Sequence, residues 1–123
     1  MLPRKFIHAR RASLHSDHPK HKMGAAVFHA GKLLAVGFNS LQTHPSTFHY
    51  HDKFCRHAEI HALARAKSRK HYLDAAIVVV YRETKNGGVA LAKPCEMCQD
   101  KMDELGIKEV LYTTNGSYER MKL

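Results

Sequence analysis

The stretches FCRHAEIHALARA (residues 54–66) and AKPCEMCQDKM (residues 92–102) decide how this sequence folds and what it does. Each opens a segment whose apolar residues recur at helical spacing. The first places His57 and Glu59 at a helix start, and the second places Cys95 and Cys98 there, directly after Pro94. Either the histidine and the two cysteines share one metal ion, or they are a core histidine and two idle thiols beside a surface carboxylate.

Length and composition predict one globular domain spanning residues 1–123. The chain has 123 residues, of which 44% are hydrophobic and 25% charged, which suits a single core. Its longest apolar run, AAIVVVY at residues 75–81, is too short to cross a bilayer. The N-terminus has basic residues but no apolar stretch of the signal-peptide type. We therefore expect a cytoplasmic protein without a membrane span.

The charge balance is strongly basic. Lysine and arginine number 20 against 11 acidic residues, which gives a formal net charge of +9. Such an excess attracts nucleotides, nucleic acids or acidic membranes, although it is also typical of a solvated basic surface. Charge alone does not distinguish a free nucleotide from a nucleic acid.

The cysteine pattern indicates metal or redox chemistry, whereas the histidine-rich stretch does not. The three cysteines include a C-x-x-C pair, which in a reducing compartment favours such chemistry over structural disulfides. We expect the remaining cysteine, Cys55, to be a half-buried small residue beside the site. The histidine-rich stretch HSDHPKH, residues 15–21, is interpreted as a loop without a metal.

The pattern of apolar residues predicts an α/β fold. Helices and strands alternate after an initial hairpin that turns at Ala30-Gly31, and an Asn115-Gly116 turn precedes the last segment. We predict a three-layer α/β/α sandwich with a mixed sheet of about five strands. The predicted elements are a helix over 3–14, a hairpin over 24–39, a helix over 55–69, a strand over 75–81, a helix over 95–105, a strand over 107–114 and a short terminal strand.

The spacing of the sulfur and nitrogen ligands favours an open metal site. Cys95 and Cys98 lie three residues apart at a helix start, so both sulfurs point to one face. With His57 they make three ligands, the number in catalytic zinc sites, whereas structural sites close with four. A closed site would have to recruit Cys55, only two residues from His57. A thioredoxin-like redox pair is the other alternative, but it does not explain the His-Ala-Glu stretch.

Glu59 follows the candidate ligand His57 by two residues. From there a carboxylate can take a proton from a metal-bound water and pass it on. The alternative is a first-turn glutamate that complements the helix dipole. Placed between a candidate ligand and a C-x-x-C pair, the catalytic interpretation is favoured.

His57-Ala58-Glu59 together with Pro94-Cys95-Glu96-Met97-Cys98 resembles the zinc-dependent cytidine/deoxycytidylate deaminase superfamily. The resemblance implies a cytidine deaminase-like fold and a Zn²⁺ ion bound by His57, Cys95 and Cys98. It also implies that Glu59 shuttles protons during hydrolytic deamination and that the backbone at Ala58 meets the base.

The resemblance suggests further substrate contacts. Gly37-Phe38-Asn39 resembles the end of the family's first hairpin, which makes Asn39 a candidate for the substrate sugar; a strand-end turn residue is the alternative. Phe48 could stack on the base or simply pin its loop to the core. His61, one helical turn beyond His57, is either substrate-facing or a satisfied histidine on a half-buried helix.

The branch within the superfamily is open on sequence grounds. The His-Cys-Cys trio resembles deoxycytidylate, tRNA-adenosine, riboflavin-pathway and polynucleotide cytosine deaminases, while the Asn115-Gly116 turn favours the cytidine-deaminase-like half. We expect a cytosine nucleoside or nucleotide as substrate, and cytosine, less so adenine, in single-stranded DNA or RNA as the alternative. A basic nucleic-acid-binding module with structural zinc is the non-enzymatic alternative. A homo-oligomer is compatible with the sequence.

Overall fold

The computed structural model describes residues 2–18, 21–40 and 57–123. Three helices and five strands follow one another in the predicted order. They are α1 (Lys5–Ser13), β1 (His21–His29), β2 (Lys32–Phe38), α2 (Ala58–Ser68), β3 (Ile77–Thr84), α3 (Glu96–Glu104), β4 (Glu109–Thr113) and β5 (Tyr118–Lys122).

The strands form one mixed sheet in the order β2-β1-β3-β4-β5. β1 pairs antiparallel with both β2 and β3, β3 pairs parallel with β4, and β5 returns antiparallel to β4. Ala30 and Gly31 both have positive φ, 52° and 81°, as a tight hairpin turn with the twist of its strands requires. Gly116, with φ 86°, makes the last turn. The predicted five-stranded sheet is confirmed, and its last two strands form an antiparallel hairpin.

The sheet is buried on both faces. Alternate side chains of β3 point to opposite sides, so Val78 and Val80 join the core under α2 and α3, while Val79 and Tyr81 join the core under α1. This explains why β3 reads as a continuous apolar run. The predicted three-layer α/β/α sandwich is therefore confirmed.

Gly37 allows α2 to lie directly on the sheet. A methyl group at this position would collide with the backbone of Ala58 and Ala62. Because α2 starts at Ala58, the close approach at Gly37 fixes where the first turn of that helix sits. The glycine of the Gly-Phe-Asn stretch thus sets the position of His57 and Glu59.

β3 is longer than predicted. The sequence indicated a turn-rich connection from Arg82 onward, whereas the strand continues to Thr84. The reason is that β1 begins at His21, so its first residues extend the antiparallel ladder and His21 pairs with Thr84. Among the described helices, none has the length and apolar character to cross a membrane.

Candidate metal centre

Two helix starts bring the candidate ligands together. His57 and Cys95 are the N-cap residues of α2 and α3, both with extended backbone, and neither side chain caps its own helix. His57 Nδ1 lies 3.2 Å from Cys98 Sγ and 3.7 Å from Cys95 Sγ. The three ligand atoms lie within 4.8 Å of one another. The predicted trio therefore converges on one point.

The geometry of this trio fits a zinc ion. Zinc binds sulfur at about 2.3 Å and nitrogen at about 2.0–2.1 Å, so tetrahedral geometry separates nitrogen and sulfur by roughly 3.5 Å. The two measured distances lie on either side of that value. Within the described residues, the group has three ligands and no fourth. Three is the number of protein ligands in catalytic zinc sites, and Cys55, the fourth ligand of the closed alternative, lies outside the described residues.

The pKa values of the two thiols are shifted in opposite directions. A hydrogen bond from Cys98 lowers the pKa of Cys95 to about 5, and His57 contributes in the same direction against the effect of burial. The same hydrogen bond, followed by burial, raises the pKa of Cys98. Cys95 is therefore the more acidic thiol of the metal-free pair. A zinc ion would bind both cysteines as thiolates.

Glu59 is buried, not a surface carboxylate. It is 2% exposed and lies in the first turn of α2. Burial raises the pKa of its carboxyl, and this outweighs the opposing effects of a backbone hydrogen bond and of His57. A raised pKa makes a carboxylate a stronger proton acceptor than an exposed one. This is the property that a proton carrier needs.

A cavity of about 360 Å³ lies beside the trio. Its volume falls in the roughly 300–1,000 Å³ range of small-molecule sites. Candidate ligands, the buried carboxyl and several basic side chains share its wall. The lining residues are His18, His21, Met23, Asn39, His57, Glu59, Arg82, Lys93 and Cys95.

Asn39 lines this cavity but is largely occupied within the protein. Its Oδ1 accepts hydrogen bonds from the Ser16 hydroxyl at 2.6 Å and from the Met23 N–H at 2.9 Å. Its Nδ2 donates to the His21 carbonyl at 2.7 Å. The side chain thus ties the segment after α1 to the start of β1, with one Nδ2 hydrogen left over from these bonds. A sugar contact at Asn39 stays a prediction.

Most of the chain matches a known protein family. A family model described as the cytidine and deoxycytidylate deaminase zinc-binding region matches residues 4–114. The chain belongs to this family. A search of curated proteins found no match.

Solved structures of deaminases share the fold. A cytidine deaminase from Burkholderia pseudomallei is 26% identical, with a TM-score of 0.66, and the match covers 96% of this chain and 89% of that one. A dCMP deaminase from the cyanophage S-TIM5 in apo form is 26% identical, with a TM-score of 0.60, over 91% of this chain and 84% of that one. A cytidine deaminase from Mycobacterium leprae, 21% identical with a TM-score of 0.58 over 91% and 86% of the two chains, shares the fold alone.

Membership of the deaminase family settles the class of protein. The protein is a zinc-dependent hydrolytic deaminase, and its His/Cys/Cys group is suited to the metal. The non-enzymatic alternative, a binding module with structural zinc, is therefore set aside. The sequence predictions of fold, family and cofactor are confirmed.

Ala58 and His61, which were also predicted to contact substrate, are not among the residues that line the cavity. Ala58 is fully buried and starts α2, next to His57. His61 is buried away from the described cavity wall, and its Nδ1 accepts the Phe38 N–H at 3.1 Å, as a satisfied core histidine would. Phe48 and Cys55 lie outside the described residues. Substrate contacts at Ala58, His61 and Phe48 stay predictions, as does the half-buried position of Cys55.

The sequence interpretation missed the basic wall of the cavity. His18 and His21 belong to the histidine-rich stretch that was interpreted only as a loop. The predicted strand stopped at Tyr81, so Arg82 was placed in the turn-rich connection after it. No role was predicted for Lys93, although it stands two residues before Cys95. Proximity to the C-x-x-C motif was the signal that could have identified Lys93.

Proposed function

We propose that this deaminase converts a cytosine base to uracil in a nucleoside or nucleotide, with His57, Cys95 and Cys98 as zinc ligands and Glu59 as proton carrier. One observation carries the proposal. The buried Glu59 carboxyl lines the same cavity as His57 and Cys95, two members of the metal-binding trio. A hydrolytic deaminase needs such a carboxyl beside its metal, because protons must move from water to the leaving amine.

Glu59 performs the proton transfers in the proposed reaction. When bound, zinc supplies the Lewis acid that makes water a nucleophile near neutral pH. The Glu59 carboxylate takes a proton from the attacking water and gives it to the ring nitrogen beside the carbon under attack. It then carries the second proton to the exocyclic amine, which leaves as ammonia. Burial, which raises the pKa of Glu59, suits the group to both steps.

The first turns of α2 and α3 hold the base in the proposed complex. The backbone at Ala58 and Cys95 lies at the two helix starts that carry the metal-binding trio. Backbone groups there are short of intrahelical partners, so they suit the polar edge of a base. Asn39, fixed by Ser16 and Met23, directs its remaining Nδ2 hydrogen toward the sugar.

Two features support cytosine over adenine. The two solved structures at 26% identity are a cytidine deaminase and a dCMP deaminase. In addition, β5 returns antiparallel to β4, the arrangement that the resemblance associates with the cytidine-deaminase-like half of the superfamily. The net charge of +9 keeps a polynucleotide substrate as the second candidate.

The proposed substrate is tested with purified, zinc-loaded protein. Deoxycytidine, dCMP, adenosine, AMP and a cytosine-containing single-stranded oligonucleotide are incubated separately, and ammonia release and base conversion are measured. We expect turnover of a cytosine nucleoside or nucleotide and none of the adenine compounds. Turnover of the oligonucleotide alone would replace the proposal with the polynucleotide candidate, and turnover of adenine compounds alone would contradict it.

A further inference from the structure

The cavity beside the metal-binding trio is also lined by an arginine, Arg82, that forms no ion pair with a carboxylate of the described residues. Arg82, in β3, donates from Nη1 to the Leu91 carbonyl at 3.1 Å and from Nη2 to His21 Nδ1. Its Nε is buried and has no hydrogen-bond partner. Among the ion pairs of the described residues, none includes Arg82. The guanidinium is thus held in place as a cation that lacks an anion.

Lys93 adds a second cation to the same cavity. It is exposed and stands in the segment that leads from β3 to α3. This segment is anchored just before it, where the Ala92 N–H donates to the Thr113 carbonyl at 2.8 Å, and just after it, where Pro94 restricts the chain. Arg82 bonds to Leu91 of the same segment, and both Lys93 and Arg82 line the cavity.

Two histidines complete the basic wall. The rings of His18 and His21 lie 5.4 Å apart, and His18 Nδ1 accepts the His21 N–H at 3.1 Å. His21 Nδ1 accepts from Arg82. Since both rings accept at Nδ1, each carries its proton on Nε2 as a donor when neutral. Glu59 is the sole carboxylate among the described lining residues.

We infer that this basic wall, formed by His18, His21, Arg82 and Lys93, binds the phosphate of a cytosine mononucleotide. The inference rests on the proposed deaminase function and narrows its substrate from nucleoside or nucleotide to nucleotide. Guanidinium and ammonium groups are the side chains that recognise phosphate, and an arginine with spare N–H donors suits its oxygens. A cavity of about 360 Å³ that also holds the reactive carboxyl suits one nucleotide better than a strand.

The inference is tested by comparing kcat/KM for dCMP and deoxycytidine on the zinc-loaded protein. Charged hydrogen bonds to phosphate predict a preference for dCMP on the order of tenfold or more. Lys93→Gln and, separately, Arg82→Gln should reduce this ratio by a similar factor. Lys108→Gln is the matched control, because Lys108 is exposed and lies outside the cavity wall.

A binding measurement gives an independent readout. In calorimetry with inorganic phosphate as probe, wild-type protein and Lys108→Gln should bind phosphate, and Lys93→Gln should bind it on the order of tenfold more weakly. Should Arg82→Gln fail to fold because Arg82 is half-buried, exposed Lys93 still provides the test.

The outcomes separate this inference from the proposed function. Equal turnover of deoxycytidine and dCMP, with a ratio that Lys93→Gln leaves unchanged, would overturn phosphate recognition while cytosine deamination stands. A preference for the oligonucleotide over dCMP would overturn it in favour of a phosphodiester strand. Turnover of no cytosine substrate would instead remove the proposed function itself.

Discussion

His57 Nδ1 lies 3.2 Å from Cys98 Sγ, although 41 residues separate the two in the sequence. The contact exists because α2 and α3 pack on the same face of the sheet and begin at the same end of it. A zinc ion held by these side chains, as proposed, would link the starts of the two helices. We therefore expect zinc binding and the stability of this layer to be coupled.

Zinc should stabilise the fold, and the stabilisation should depend on the ligand trio. At free zinc 100-fold above its Kd, mass action adds about 2.7 kcal/mol to the free energy of unfolding. We expect Cys98→Ala to abolish this gain because it removes a buried ligand, as His57→Ala should. Thermal unfolding with and without added zinc measures the effect.

The control for this prediction is Met97→Ala, next to Cys98 in α3 and only partly buried. It should change stability without removing the response to zinc. An equal zinc response in wild type and Cys98→Ala would contradict the assignment of the ligands.

Glu59→Gln should stabilise the metal-free protein at neutral pH. Because burial raises the pKa of Glu59 above 4.5, the folded state binds a proton more tightly than the unfolded state does. The free energy of unfolding of the wild type should therefore fall as pH rises from 4.5 through the raised pKa. The neutral amide of the variant avoids this loss, so the variant's advantage should grow with pH and vanish toward pH 4.5.

Urea unfolding of chelator-treated protein at several pH values measures this difference. Glu96→Gln is the control, since Glu96 occupies the first turn of α3 but is exposed, and no such gain is expected there. An advantage of Glu59→Gln that did not change with pH would show that the carboxyl is not destabilised by its burial.

Thr113 should be a positioning residue for the cavity wall. It is fully buried, its Oγ1 accepts the Arg82 N–H at 3.1 Å, and its hydroxyl donates to the Ala90 carbonyl at 2.7 Å. Thr113→Val keeps the shape but leaves two buried groups without partners. We expect a loss of about 1–3 kcal/mol in the free energy of unfolding.

Thr114→Val, at the neighbouring half-buried position, is the matched control and should cost less. Both variants are compared by urea unfolding, and the dCMP to deoxycytidine ratio is measured on each. Thr113→Ser should rescue both quantities, because it restores the hydroxyl. Failure of that rescue would assign the effect to packing and not to the hydrogen bonds.

Gly37→Ala should displace α2. Its new methyl group would meet the backbone of Ala58 and Ala62, so the helix must move, and overpacking of this kind costs about 1–3 kcal/mol. Because the displaced turn carries His57 and Glu59, zinc affinity should fall as well, and a competitive zinc titration measures it. Gly88→Ala is the control, since its methyl group would meet only the Thr84 side chain at 3.3 Å.

Much of the fold and site could be predicted because local chemistry specified it. The β-branched run of β3 needed burial on both faces, Ala30-Gly31 had to turn, and Gly106 ends α3 with a φ of 81°. The convergence of His57 with Cys95 and Cys98 was predictable from motif spacing together with a family resemblance. The strand and the turns are indicated by neighbouring residues, and the trio by two short motifs.

The basic wall could not be predicted, because it depends on register between strands distant in the sequence. Arg82 reaches the cavity since β1 and β3 pair in a register that sets Met23 opposite Arg82. Asn39 shows the same limit, because its three hydrogen bonds join residues 16 to 23 positions away. Neither arrangement follows from periodicity.

Metal content and turnover of Glu59→Gln, measured on one preparation beside wild type, test the central claim most directly. The claim is that three side chains hold zinc while a separate buried carboxyl moves protons. We expect both proteins to bind one zinc ion per chain, and the variant to lose on the order of 10²–10⁴-fold in kcat for its cytosine substrate. A variant that kept full activity, or that lost its zinc, would contradict it.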